Sequence, residues 1–123
     1  MKKVCIQSGP YKIIIDLLDT HTAKIIYSKL LIIGKINFWE NETYFNTSLK
    51  IKIEINARQV VKKGELAYWL QGDDIAIGYA PTPISLDNEI RLASPCNVWG
   101  ITKFDLDQLN SLPEQQEIII SNV

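Results

Sequence analysis

Side chains able to do chemistry are few in this chain and far apart. One histidine, His21, and two cysteines, Cys5 and Cys96, are its whole stock of imidazole and thiol ligands. A zinc site gathers about four such groups by paired spacing. Positions 5, 21 and 96 show no pairing, so no metal is expected. His21 stands in the run Asp19-Thr20-His21-Thr22, rich in helix N-caps, and reads as a solvated neighbour of the cap rather than a catalytic base. Ser94, between Ala93 and Pro95, has neither a G-x-S-x-G elbow nor a base nearby. Asp73-Asp74 is a carboxylate pair in a turn, where adjacent acids are ordinarily solvated, and no further ligand joins it. The six glycines are scattered through turns and form no phosphate-binding loop or dinucleotide fingerprint, so no cofactor is expected. What remains is aromatic, with Phe38, Trp39, Tyr44, Phe45, Tyr68, Trp69 and Tyr79 concentrated in one third of the chain. Their chemistry is recognition in an apolar concavity.

The elements that must position these rings are short. Leu66–Trp69 and Ile75–Ala80 read as two apolar strands around the polar turn Leu70-Gln71-Gly72-Asp73-Asp74, and a loop over residues 80–95 leads to a third strand, Asn97–Ile101. Ile36–Trp39 and Glu42–Asn46 read as a tight hairpin turning at Glu40-Asn41. Period-two alternation puts aromatics on both of its faces, so one face belongs to a core and the other is exposed or lines a pocket. Upstream, Val4 and Ile6 open a strand, Ser8-Gly9-Pro10 turns it, and Tyr11–Leu17 returns. Ala23, Ile26, Tyr27 and Leu30 recur at helical spacing, an amphipathic helix of about three turns ended by Gly34. Lys50–Ile55 alternates as a further strand. Asp105 caps a second short helix that buries Leu106, Leu109 and Leu112 and stops at Pro113. Glu117–Ser121 closes the chain as a strand. About eight strands and two helices, without regular strand–helix alternation, point to a mainly β fold: a closed antiparallel barrel, because closure removes exposed edges.

Composition excludes several classes. At 123 residues, residues 1–123 are expected to form one domain. Hydrophobic residues at 46% and charged residues at 22% argue against disorder. A net charge of −1 gives no general pull toward nucleic acid or anionic membrane. The basic stripe Lys50, Lys52, Arg58, Lys62, Lys63 reads as the wet face of a strand rather than a nucleic-acid footprint. Two lysines near the N-terminus precede no apolar run, and no run is long enough to span a bilayer, so a cytoplasmic location with reduced cysteines is expected. The sequence sets no oligomeric state.

Three segments carry a resemblance. Gly64-Glu65-Leu66-Ala67-Tyr68-Trp69-Leu70-Gln71-Gly72, then Thr82-Pro83, then Ile90 to Gly100 (IRLASPCNVWG), and upstream Trp39 to Phe45 (WENETYF), resemble the small prokaryotic cyclophilin-like family. The order of elements matches over nearly the whole chain. One departure is Leu70-Gln71, where the family often has two prolines. The resemblance implies a cyclophilin-like closed antiparallel barrel, with a peptide or small ligand lying beside Trp69, Leu70 and Gln71. Tyr44 or Phe45 and Tyr79 would add walls, and Arg91 would offer a carboxylate two parallel hydrogen bonds. Trp69 and Tyr79 equally suit a barrel filling, and Arg91 suits a bridge to Glu89 or Asp87 better than a ligand contact.

Prolyl isomerisation has to lower a barrier of ~18–20 kcal/mol that comes from amide resonance. True cyclophilins bring an arginine to the prolyl nitrogen on the strand pair matched here by Ile36–Asn46. That stretch has none; Arg58 and Arg91 are the only arginines. A binding module without turnover is therefore the first expectation. A weak peptidyl-prolyl cis-trans isomerase is the second, and an assembly subunit using exposed aromatics such as Trp39 the third.

Overall fold

A computed structural model describes residues 2–123. In chain order it contains β1 (Lys3–Ser8), β2 (Tyr11–Leu17), α1 (His21–Ser28), β3 (Ile32–Lys35), β4 (Asn37–Trp39), β5 (Glu42–Asn46), β6 (Arg58–Val61), β7 (Glu65–Trp69), β8 (Asp74–Gly78), β9 (Ile90–Ile101), a 3-10 helix over Leu106–Ser111, and β10 (Glu117–Asn122). All pairings are antiparallel. The strands run in the order β3-β10-β1-β2-β9-β7-β8-β5-β4, with β6 joined to β9 off this path. The sheet curls until β3 meets β5, a nearly closed barrel. Among the described residues no helix is long and apolar enough to cross a membrane.

Alternation explains how the barrel fills. Ile6 faces Ile13 and Val4 faces Ile15 across the first hairpin, and all four are buried while Ile14 points out. Trp99, Tyr68 and Phe45 are the largest side chains in this interior. The Trp99 indole N–H is satisfied there by the Ala67 carbonyl at 3.1 Å. Helix α1, capped by the Thr20 hydroxyl on the Ala23 N–H, adds Ala23 and Ile26. The Leu106, Leu109 and Leu112 side chains enter the same core at a spacing of three, the period of the 3-10 helix that carries them.

Four expectations change. The helical region does not run to Gly34. It stops at Ser28, whose hydroxyl donates to the Ile25 carbonyl at 2.7 Å, and the β-branched pair Ile32-Ile33 ladders with Ile119 and Ile120 instead. Gly34 lies inside β3 at the barrel seam, where a Cβ would come within 2.9 Å of the Phe45 ring. Lys50–Ile55 is not a strand, and Ile53 and Ile55 are exposed. Its backbone is held by side chains: Asn97 donates to the Lys52 carbonyl and accepts from the Glu54 N–H, both at 2.9 Å, and Thr22 donates through its N–H and hydroxyl to the Glu54 carboxylate. The loop before residue 97 is shorter than expected, because β9 starts at Ile90. Strand β6 was not expected, and the ten strands exceed the anticipated eight.

The basic stripe is dispersed among ion pairs. Lys50 pairs with Asp73, Arg58 with Glu65, and Lys63 with Asp105 and Asp107.

Candidate functional site

The sheet has a second apolar layer on its outside. Ala67 and Trp69 of β7 and Ala76 of β8 turn away from the barrel core, and the first half of β9 crosses over them with Ile90, Leu92 and Cys96. The cover stops short of the β4–β5 hairpin. There the outward residues are Trp39, Glu42 and Tyr44, with Trp39 directly opposite Glu42 and Tyr44 opposite Ala76. Small side chains in the middle and large ones at the rim leave a hollow of about 220 Å³. Its floor is Ala76, its far side Leu92, Ala93 and Cys96, and its remaining walls Trp39, Tyr44, Trp69 and Glu42.

Two local devices shape it. Glu40, at φ 50°, makes the tight turn that brings Trp39 back against Glu42. Trp69 is fixed at both ends: its indole N–H donates to Ser94 Oγ at 2.6 Å, and its ring lies on Gly72, where a Cβ would sit 2.6 Å from the ring edge. Any larger residue at position 72 moves the indole.

The polar group of this hollow is Glu42. It is only 7% exposed, and its Oε1 has no hydrogen-bond partner among the described residues. Burial, reinforced by the negative charge of Asp74, pushes its carboxyl up to about 7. Among the described residues no Lys, Arg or His pairs with it. Asp74 is also held above the ordinary carboxylate range by burial, despite the Asn46 side-chain amide that donates to it at 3.1 Å. Burial and Glu42 together push the Cys96 thiol up to about 12, which leaves it protonated and unreactive. Asp73, by contrast, is half-buried at the end of the barrel and is held low by Lys50 and the Tyr68 hydroxyl.

Of the seven residues expected at the groove, Tyr44 and Trp69 meet at this hollow. The other five do not line it. Phe45 and Tyr79 are core residues, the Tyr79 hydroxyl lying 3.1 Å from Thr43 Oγ1 and 3.0 Å from Asn110 Oδ1. Leu70 packs on the edge of the core, and Gln71 is exposed in the turn. Arg91 is bound to Glu89 through both its Nε and a terminal nitrogen. Arg58 forks onto Glu65 at 2.6 and 2.7 Å, so neither guanidinium reaches the hollow. Glu42, Ala76, Leu92, Ala93 and Cys96 were missed, and Trp39, expected at an assembly surface, lines the hollow as well. The signal for Glu42 was its register: it shares a face with Trp39 and Tyr44 by the alternation that put aromatics on both sides of the hairpin. A larger depression of about 610 Å³ lies between α1, Leu17 and Lys2, but its polar rim is Lys2, Asp19, Lys24 and Ser28, all solvent-facing.

A nearly closed antiparallel barrel of this topology, with its two short helices, defines a cyclophilin-type domain. The chain belongs to the cyclophilin-like family, whose model matches residues 2–121. A hypothetical protein from Archaeoglobus fulgidus, known from its solution structure, is similar over 99% of this chain and 95% of its own, with a TM-score of 0.81 and 27% identity. Among curated proteins none matches.

Proposed function

We propose that this cyclophilin-like domain binds a small ligand, or one side chain of a peptide, in the hollow beside Trp69 and does not turn it over. One observation carries the reading: an aromatic-walled concavity holds a buried carboxyl oxygen with no partner among the described residues. Buried polar groups are almost always paired, and an orphan at a concave surface is the natural contact for a bound molecule. At about 220 Å³ the hollow is below the ~300–1,000 Å³ of drug-sized sites, which favours a head group over an extended peptide. The isomerase alternative lacks its electrophile, because Arg58 and Arg91 are both committed to carboxylates elsewhere.

A thermal-shift screen across metabolites and short peptides tests the reading. Hits are expected to raise the melting temperature and to lose their effect in Trp69→Leu. Silence across both libraries overturns it. Proline-limited refolding, slow enough to time by hand without catalyst, is expected to keep its uncatalysed rate at stoichiometric protein.

A further inference from the structure

We infer that the ligand of this hollow is an organic cation, an alkylammonium head group held by Trp39, Tyr44 and Trp69 with Glu42 as its counter-charge. The inference rests on the binding reading above and names the chemistry of what is bound.

The walls and the charges point the same way. Two indoles and a phenol surround one small space, and the negative faces of such rings attract a cation lying within about 6 Å of their centroids, indole most strongly. The formal charge in the lining is that of Glu42, and Asp74 on the same sheet face deepens the negative potential. An anion would meet the Glu42 carboxyl and no base. A hard metal cation wants six or more oxygens, and among the described residues no three acidic, histidine or cysteine side chains gather to hold one. A neutral apolar ligand would leave the Glu42 Oε1 unpaired as before. An alkylammonium ion satisfies both halves of the site, with carbon-bound hydrogens against the rings and positive charge against the carboxylate.

Proton linkage follows. The titratable groups on other elements whose charge couples to Glu42 are Asp74 of β8, Cys96 of β9 and, from the core side, Tyr79 just beyond β8, and none is a base. A cation must therefore displace the proton that Glu42 half-holds near neutrality. Affinity rises as pH rises, and binding releases a proton.

The experiment titrates wild-type protein with tetramethylammonium chloride, choline chloride and 3,3-dimethylbutan-1-ol, the uncharged carbon analogue of choline. Potassium chloride holds the ionic strength constant. Tryptophan fluorescence and the indole N–H signals of Trp39 and Trp69 report occupancy. An acetylated trimethyllysine amide in a parallel arm separates a free ammonium compound from a peptide side chain as the source. Choline is expected to bind at least about tenfold tighter than its neutral analogue at pH 8, and at least about tenfold tighter at pH 8 than at pH 5.5. Glu42→Gln is expected to erase both ratios, and Trp39→Leu, at a half-buried rim position, to weaken all cations about tenfold or more. If the neutral analogue binds as well as choline, and Glu42→Gln changes neither ratio, the cation inference is overturned while the binding site stands. If neither cations nor the neutral analogue move the two indole signals, while the metabolite screen gives hits lost in Trp69→Leu, the inference again falls alone. If that screen is silent too, both fall.

Discussion

The two faces of the β4–β5 hairpin follow opposite rules with nearly the same residues. Inward, Phe38 and Phe45 join a continuous core in which polar groups are answered: Thr43 meets Tyr79, Tyr79 meets Asn110, and Tyr68 reaches Leu49 and Asp73. Outward, Trp39 and Tyr44 stand around a hollow, and the carboxyl between them is left unanswered. Aromatic content alone does not distinguish a core from a site. Completion of packing and of hydrogen bonding does. A face selected for stability fills its voids and pairs its polar groups. The outer face does neither, although the first half of β9 already supplies Leu92, Ala93 and Cys96 to one side of the hollow.

The sharpest way to break this comparison is to truncate the inner face. Phe45 is fully buried and also lines the barrel seam against Gly34. Phe45→Ala is expected to destabilise the domain by about 3–5 kcal/mol, measured by urea unfolding. A loss below about 1 kcal/mol would mean that the interior is loosely packed and that the two faces are not different in kind.

The second test works on the unanswered group itself. Glu42 titrates at about 7 in the folded protein and at its ordinary value of 4.5 when unfolded. The folded state therefore binds the proton more tightly, so stability falls as pH rises from about 4.5 through 7 and levels off above. The full span corresponds to roughly 3 kcal/mol, an upper figure because water reaches the hollow. Glu42→Gln removes this slope, leaving the weaker contribution of Asp74 in the same direction. The variant is expected to match wild type near pH 4 and to exceed it by up to about 3 kcal/mol at pH 8. A variant less stable than wild type at pH 8 would show that the carboxylate is paired after all.

Much of this contrast was legible in the residues, and the illegible part has a physical pattern. Alternation put aromatics on both faces of the hairpin, and the apolar runs at residues 4–6, 11–17, 66–69 and 117–121, with the run from 75 as far as Gly78, became strands because neighbouring strands bury them. Two segments misled. Leu30-Leu31-Ile32-Ile33 continues a helical stripe locally, but the β-branched pair finds a partner in β10, a contact some 87 residues away that local spacing cannot contain. Lys50–Ile55 alternates like a strand but finds no ladder, since Asn97 and Thr22 take its polar groups. The resemblance placed Trp69 at the site. It did not separate Tyr44 from Phe45, which needs only the knowledge of which face is inside, nor did it single out Glu42, whose meaning lies in the absence of a partner. A missing hydrogen bond leaves no mark on a sequence.

Asn97 offers a test of intermediate size. It is buried and makes three hydrogen bonds, to Thr22, to the Lys52 carbonyl and from the Glu54 N–H, all at 2.9 Å. Asn97→Ala strands two backbone groups of the segment it holds, a cost of about 1–3 kcal/mol. Hydrogen exchange is expected to speed at Glu54 and Thr22 while the β5 and β8 amides stay protected. Uniform loss of protection would place Asn97 in the common core, rather than in a clamp on one extended segment.

The smallest effect is expected at Tyr44, and it decides most. Tyr44 sits one residue before Phe45, on the same strand, opposite Ala76, half-buried at the wall of the hollow. If the outer aromatics are there to meet a ligand, their removal in the free protein exposes no core and leaves no void that was not open already. Tyr44→Ala should then cost less than about 1 kcal/mol, a modest strand-propensity and surface term. Phe45→Ala in the same experiment supplies the scale. A cost at Tyr44 approaching that at Phe45 would mean that the hollow closes in solution and that its aromatics pack on one another. Near-neutral stability with loss of ligand-induced melting shift is the combination only a binding face produces, because a packing residue cannot lose the second without the first.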